Sequence, residues 1–234
     1  MRNQQGPKLP YSVVAGVVPI ASGWLVASAK LRGATFAVED AQLCDSLREV
    51  LDVRPSFAIV VINVPIGYLD DGDSGQRLCD SEAQVLLGGH SAIVPNAPTR
   101  DVLFLDLDEE DARVDGGFLL QRYREVAREI SPSNQRVVYE GNPELSFYQL
   151  NGFELFQNDG ESEEGDDERR AILELKIPGI GRVLESALPG TTPRDLRDVV
   201  ALMWTARRVF GHSALRLPHD GVWDSAGLRM ELVM

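Results

Sequence analysis

The sequence predicts an α/β protein with a mixed central sheet flanked by helices, and three observations support this fold class. Three short apolar stretches near the N-terminus are separated by tight turns, a pattern typical of an antiparallel meander. Six consecutive apolar residues follow at 57–62 (FAIVVI), four of them β-branched, which indicates a strand buried on both faces. Most of the remaining chain shows apolar residues at helical spacing.

The meander strands are predicted at 11–18, 23–29 and 34–39. Asp40 is a candidate cap for a helix in which Leu43, Leu47, Val50 and Leu51 share one face. The chain then enters the 57–62 stretch, which is short enough to fit a buried helix segment as well. The prolines on both sides of it favour a strand. Because the chain returns to the sheet through a helix, this strand should run parallel to the first one.

Beyond the central strand, helices alternate with one further strand. The last helix has a clear start, with Thr192 as its cap, Pro193 in the first position and Asp195 in the third, and it should run to Phe210. Other helices are predicted at 77–87, 117–130, from 144, at 169–175 and at 183–188, with strands at 136–140 and, as a possible edge strand, at 230–234. The resulting order, β-β-β-α-β-α-β-α, is that of the ribonuclease H-like fold. We expect one such domain over residues 11–234, a polar tail at 1–10, and a solvated, mobile acidic loop at 157–168.

The composition indicates which partners and which cellular compartment to expect. The formal net charge is −13, which disfavours tight binding to nucleic acid, although a local basic patch can override the long-range repulsion. Two cysteines, Cys44 and Cys79, do not make a disulfide framework and are expected to be reduced thiols. Without an apolar leader or a long apolar run, we expect a soluble, cytoplasmic protein with no membrane partner.

One polar side chain, Asn63, stands where the central strand ends. In open α/β sheets the carboxyl ends of the strands face the functional crevice, so this amide is a candidate site residue. The alternative is that Asn63 only turns the backbone ahead of Pro65. The strand pattern alone leaves both interpretations open.

Six short stretches, in order along the chain, carry a family resemblance. They are 16–24 with its GVVP and SGW, 63–68 (NVPIGY), 77–80 (RLCD), 87–100 with its LG and IVPNAPTR, 140–147 (EGNPELSF) and 198–206 (DVVALMWTA). Together they resemble a bacterial and archaeal family known as domain of unknown function 429, whose members are predicted nucleases with a ribonuclease H-like fold. The resemblance implies a crevice in which carboxylates hold divalent metal ions for phosphodiester hydrolysis.

The residues at the family's site positions depart from that chemistry. The first-strand position is Val18, which cannot bind a metal, and the central-strand position is Asn63, which offers a single neutral oxygen. Glu140, Glu144 and Asp198 remain, and the resemblance makes Asn63 and these three the candidate catalytic residues. Glu140 and Asp198 are the candidate ligands of a weakly bound Mg²⁺ or Mn²⁺, if any cation binds. Asp195 lies three residues before Asp198 but fits a helix cap better than a ligand.

Two arginines that match family positions, Arg77 and Arg100, could hold an anionic substrate at the crevice. An alternative for Arg77 is a helix-surface pair with Asp80, three residues further on.

The sequence therefore supports several functions. The first is a degenerate family member, broken at Val18 and Asn63, that binds or scaffolds an unknown protein or small ligand. The alternative is a metal-dependent nuclease or phosphoesterase that uses the remaining Glu140, Glu144 and Asp198. A different enzyme in the same crevice, or a structural subunit of a complex, is the third.

Overall fold

The computed structural model describes residues 10–33, 35–70, 75–88, 94–104 and 117–234. Eight strands within these ranges form one sheet. They are β1 (Ser12–Ile20), β2 (Gly23–Arg32), β3 (Thr35–Val38), β4 (Gln42–Cys44), β5 (Ile59–Ile62), β6 (Val138–Gly141), β7 (Arg216–Leu217) and β8 (Leu232–Val233). Most of the predicted polar tail, residues 1–9, lies outside the described residues.

The strand order and directions confirm the predicted ribonuclease H-like fold. The sheet reads β3-β2-β1-β5-β6-β8-β7, and β4 pairs with β2 beside β3. The β1–β2 and β2–β3 pairs are antiparallel, whereas β1–β5, β5–β6 and β6–β8 are parallel. The predicted C-terminal edge strand is wrong in one respect, because β7 pairs with β8 on its outer side and places β8 inside the sheet.

Helices cover both faces of this sheet. They are α1 (Leu47–Asp52), α2 (Leu78–Leu86), α3 (Arg100–Phe104), α4 (Gly117–Glu129), α5 (Pro143–Leu150), α6 (Glu163–Lys176), α7 (Gly181–Leu184) and α8 (Pro193–Phe210). One apolar cluster joins α8 to β1 and β5 on one face, and a second joins α1 and α4 to the other face of the same strands.

The helix predicted to start at Asp40 begins later than expected. Residues 42–44 pair with β2 as β4, and the helix starts at Leu47. Ser46 is its cap, since its hydroxyl accepts a hydrogen bond from the Glu49 backbone N–H at 3.2 Å. The pairing of three residues with a neighbouring strand is a tertiary contact that a helical spacing pattern does not reveal.

The acidic segment at 157–168 is not a loop throughout, so the mobile-loop prediction is wrong for residues 163–168. These residues form the first turns of α6, which Ser162 caps by accepting from the Gly165 N–H at 3.0 Å. Glu163, Glu164 and Asp166 lie in the first turn, where negative side chains interact favourably with the helix dipole. The acidity of the segment therefore favours a helix start.

Helix α8 is pressed directly onto β1. A Cβ atom added to Gly16 would lie 2.2 Å from the Val199 carbonyl oxygen, so only glycine permits this approach. Val18, two residues on, is buried with 3% of its surface exposed and belongs to the core cluster shared with α8. This close contact fixes the first turns of α8, and therefore Asp198, against the sheet.

The start of α8 is the capping box predicted from the sequence. The Thr192 hydroxyl accepts from the Asp195 N–H at 3.2 Å, and the Asp195 carboxylate accepts from the Thr192 N–H at 2.8 Å. We expect Thr192→Ala to lower the free energy of unfolding by about 1 kcal/mol, because it leaves a helix N–H without its acceptor. Urea unfolding measures this change. Thr192→Ser, which keeps the hydroxyl, is the matched control, and an equal loss in both variants would contradict the capping role.

Among the helices within the described residues, none combines the length and the apolar character needed to cross a membrane.

Candidate ligand-binding crevice

A cavity of about 600 Å³ opens at the carboxyl ends of β5 and β6, beside the first turns of α5 and α8. Five of the six predicted site residues line it, namely Asn63, Arg77, Glu140, Glu144 and Asp198. The ends of strands far apart in sequence thus bring these side chains to one place, as the fold predicts.

Glu140 lies at the centre of a buried ion pair with Arg77. The guanidinium donates to both carboxylate oxygens, from Nη1 to Oε2 at 2.9 Å and from Nη2 to Oε1 at 2.6 Å. The Ile66 backbone N–H donates a further hydrogen bond to Oε2 at 2.7 Å. Only 2% of Arg77 and 4% of Glu140 is exposed, so both oxygens of this carboxylate are engaged away from solvent.

The same guanidinium also serves a second carboxylate. Asp80, on the first turn of α2, accepts from Arg77 Nε at 2.9 Å and from Nη2 at 2.6 Å, and the Gly67 carbonyl accepts from Nη1 at 3.1 Å. The predicted pairing of Arg77 with Asp80 is therefore present, but it is buried and not on the helix surface. Burial raises the pKa of Glu140 to about 7, although Arg77 favours its ionised form.

Glu144 is held in a similar way by an arginine of α6. Arg169 donates from Nε to Oε1 at 2.8 Å and from Nη2 to Oε2 at 2.6 Å. Asn142 caps α5 by accepting from the Glu144 and Leu145 N–H groups, at 2.9 and 3.2 Å, and thereby fixes the direction in which Glu144 leaves the helix. The Arg169 guanidinium also lies 4.7 Å from the centroid of the Phe156 ring. The bidentate geometry occupies both oxygens of Glu144.

Asp198 is bonded far less completely than Glu140 and Glu144. Its nearest cationic atoms are Nε of Arg194, 3.6 Å from Oδ2, and Nε of Arg197, 3.6 Å from Oδ1. Oδ1 is buried and accepts no hydrogen bond from any described residue, while 16% of the side chain is exposed. Burial raises the pKa of Asp198 to about 7, and Glu144 and Asp195 add to this rise against the two arginines.

The two arginines near Asp198 are committed to other acceptors. Arg194 Nη1 donates to Glu161 at 2.8 Å. Arg197, which is 2% exposed, donates to Asp166 and to the Gly160 carbonyl, the latter at 3.2 Å. Neither guanidinium therefore neutralises Asp198 as Arg77 neutralises Glu140.

Asn63 is half-buried, and its backbone N–H donates to the Val17 carbonyl at 3.0 Å. No described residue hydrogen-bonds its side-chain amide, which lines the cavity. Arg100, in contrast, is not among the described lining residues. It donates to Asp224 at 2.6 Å and to Asp70 at 3.3 Å, and so links the segment after β5 to that before β8.

These side chains do not fit the two-metal arrangement that the family resemblance implies. Two of the family's metal-site positions are Val18 and Asn63, which carry no negative charge. The carboxylates of Glu140 and Glu144 each accept hydrogen bonds from an arginine at both oxygens. Within the described ranges there is no group of three His, Cys, Asp or Glu residues arranged to hold a metal ion. Magnesium and manganese favour several hard anionic oxygens around one ion, and Asp198 alone does not supply them.

Sequence reasoning missed five charged residues of the crevice, Asp80, Asp159, Glu161, Arg169 and Arg194. The sequence spacing could have indicated Arg194, because it lies four residues before Asp198 on the same helix and faces it. No such spacing indicates Arg169, since 25 residues and a turn separate it from Glu144. The spacing of Asp80 predicts only a surface partner for Arg77.

The sheet order and the crevice at its carboxyl edge define an α/β protein of the ribonuclease H-like class. The chain belongs to the family described as "Protein of unknown function (DUF429)", whose profile matches residues 16–221. Among solved structures, Thermus thermophilus RuvC is similar, with 14% identity, a TM-score of 0.38, and coverage of 86% of this chain and 97% of that one. No curated protein sequence matches the chain.

Proposed function

We propose that this protein is a degenerate member of its family, whose crevice binds a protein or a small ligand and does not hydrolyse phosphodiesters with two metals. The observation that carries this proposal is the ion pair between Arg77 and Glu140, in which a side-chain cation takes both oxygens of a buried carboxylate of the crevice. A metal ion would have to displace that guanidinium from Glu140, which would leave Arg77 only Asp80 and the Gly67 carbonyl as partners. Breaking a buried ion pair in this way costs about 3–5 kcal/mol.

The charge of the crevice supports the same conclusion. Its described lining contains six carboxylates and three guanidinium groups, a formal excess of three negative charges. Each of the three arginines donates to a carboxylate at 2.8 Å or less. A phosphodiester would meet a negative surface on which no arginine of the described lining is free to bind it, so the lining disfavours a nucleic-acid substrate.

The size and lining of the cavity favour a binding role. A volume of about 600 Å³ lies within the range of small-molecule sites, which are mostly apolar with a few placed polar groups. Leu119, Tyr123, Tyr148 and Leu155 supply apolar surface beside the polar groups.

The test is titration calorimetry with Mn²⁺ on the wild type and on Asp198→Ala, followed by hydrolysis assays with DNA, RNA and a chromogenic phosphodiester. We expect no site with micromolar affinity in either protein and no Mn²⁺-dependent hydrolysis. The oxygens of Glu140 and Glu144 are paired with arginines, and Asp198 alone supplies too few anionic ligands for Mn²⁺. Glu174→Ala, on the exposed face of α6, is the control for general loss of surface charge.

Micromolar Mn²⁺ binding that disappears in Asp198→Ala, together with hydrolysis that disappears with it, would overturn the proposal. It would support the metal-dependent nuclease or phosphoesterase that uses Glu140, Glu144 and Asp198. Restoring an acid with Asn63→Asp is a second arm, and we expect this change alone to create no hydrolysis.

A further inference from the structure

The kind of ligand follows from which charges of the crevice are already satisfied. Arg77, Arg169 and Arg194 each donate short hydrogen bonds to carboxylates, so none is free to receive an anion. Two lining acids, Glu140 and Glu144, are matched by bidentate guanidinium contacts. The excess negative charge of the lining therefore resides on the remaining acids.

Asp198 is the acid of this group that is both largely buried and incompletely bonded. No nitrogen of Arg194 or Arg197 comes closer to it than 3.6 Å, and both guanidinium groups donate to other acids. A carboxylate removed from water without hydrogen-bond donors is costly for the folded state. A cation that enters the cavity and donates hydrogen bonds to this carboxylate would supply the donors that the protein itself does not provide.

Asn63 adds a neutral acceptor to the same cavity. Its side-chain carbonyl can accept a hydrogen bond, and no described residue donates one to it. A primary ammonium group carries three donors and no acceptor, and it can be shared between a carboxylate and an amide carbonyl. A metal ion bound at either oxygen would lack the further anionic ligands it needs.

The apolar residues of the cavity lining indicate the chemistry of the rest of the ligand. Tyr123 and Leu119 of α4 border the cavity on one side, and Tyr148 and Leu155 border it on another. Leu155 is 51% exposed, so part of this wall is open to solvent. An aliphatic or aromatic body would cover that apolar surface, and each buried methylene would contribute to affinity.

We infer that the crevice binds an organic ammonium ion with an apolar body, with Asp198 as its counter-ion and Asn63 as an additional acceptor. The inference rests on the proposed function, since it assigns a ligand class to the crevice that does not hydrolyse phosphodiesters. The cation comes either from a free amine or from a lysine side chain of a protein, and the cavity volume of about 600 Å³ favours the free amine.

The test is calorimetry of the full chain with 2-phenylethylamine, in a buffer that contains EDTA so that metal plays no part. The probes for comparison are 2-phenylethanol, which is neutral and of similar shape, 3-phenylpropionate, which is anionic, and Nα-acetyl-lysine amide. We expect the amine to bind at low millimolar concentration or below, and the alcohol and the acid to bind at least about tenfold more weakly. Tighter binding of the lysine amide than of the amine would assign the cation to a protein side chain.

Two variants locate the bound cation. Asp198→Asn should weaken binding of 2-phenylethylamine at least about tenfold and leave the weak binding of 2-phenylethanol unchanged, because only the charge is lost. Asn63→Leu should weaken amine binding about two- to fivefold. Glu174→Gln, an exposed acid outside the cavity lining, is the matched control and should bind like the wild type.

Equal affinity for the amine and the alcohol, unchanged amine affinity in Asp198→Asn, or no binding at about 10 mM would each overturn the inference. These outcomes are separate from failure of the proposed function, which would appear as Mn²⁺-dependent hydrolysis in a different assay. A chain that neither hydrolyses phosphodiesters nor binds the amine would refute the ligand class alone.

Discussion

Replacing Arg77 with methionine is expected to lower the free energy of unfolding by about 3–5 kcal/mol, the cost of removing one partner from a buried ion pair. The change leaves Glu140 and Asp80 without their shared guanidinium in a site where at most 4% of either is exposed. The change also removes the hydrogen bond from Arg77 to the Gly67 carbonyl. Through this bond Arg77 joins the segment after β5 to α2 and β6. Urea unfolding followed by circular dichroism measures the loss.

The matched control is Arg48→Met, which removes an arginine from an exposed pair with Glu129 at 3.1 Å. Since 71% of the Arg48 side chain is exposed, its loss should cost no more than about 1 kcal/mol. The double variant Arg77→Met with Glu140→Gln should lose less stability than the sum of the two single changes, because the second change removes the charge that the first left unpaired. A loss of about 1 kcal/mol or less in Arg77→Met would contradict the central role given to this pair.

Arg77 also illustrates what a sequence can and cannot predict about such a site. The spacing of Arg77 and Asp80 is that of neighbours on a helix, and the two do interact. The third member, Glu140, lies 63 residues away and meets them only because β6 packs beside β5. Helical periodicity contains no information about that contact. It therefore predicts a surface pair as the alternative for Arg77, whereas the pair is buried.

The parts of the fold with strong periodicity were predicted, and the parts that depend on pairing were not. The buried strand at 59–62 and the capping box of α8 follow from local composition. The short strands β4 and β7 exist because a neighbouring strand offers hydrogen bonds, and segments of two or three residues carry little pattern of their own. The strand β8 falls within the predicted 230–234 stretch, but its place inside the sheet depends on β7. Similarly, the acidic run at 163–168 looks solvated by composition, and its helix depends on the Ser162 cap.

The family resemblance predicts which side chains meet at the crevice, but it does not predict the charge state of each. Asn63, Glu140, Glu144 and Asp198 do line one cavity. Whether each carboxylate is neutralised depends on arginines from α2, α6 and α8, and these are placed by the packing of helices on the sheet. Glu140 and Glu144 are each paired with an arginine and Asp198 is not, and only the structure reveals this difference.

Asp198→Asn is expected to raise the free energy of unfolding by about 1–3 kcal/mol at pH 8, in contrast to most substitutions at buried polar positions. The pKa of Asp198 is raised from 3.8 to about 7, first by burial, so the folded state holds its proton more tightly than the unfolded chain does. Below about pH 4 the group is protonated in both states and imposes no cost. As the pH rises from 4 to 7 the unfolded state is increasingly favoured by ionisation, and above pH 7 the full cost is present.

The stabilising effect of Asp198→Asn should therefore be absent near pH 4, grow through pH 4–7 and reach a plateau near pH 8. Asp195→Asn is the informative control, because Asp195 lies three residues earlier on the same helix but accepts from the Thr192 N–H at 2.8 Å. Removing that charge should destabilise the protein at pH 8 by up to about 1 kcal/mol, since a negative side chain is favourable in the first turn. If both variants lost stability at pH 8, Asp198 would be a satisfied structural acid. If only Asp195→Asn lost stability, the Asp198 carboxylate lowers the free energy of unfolding of the protein. A carboxylate kept at that cost remains available to a ligand.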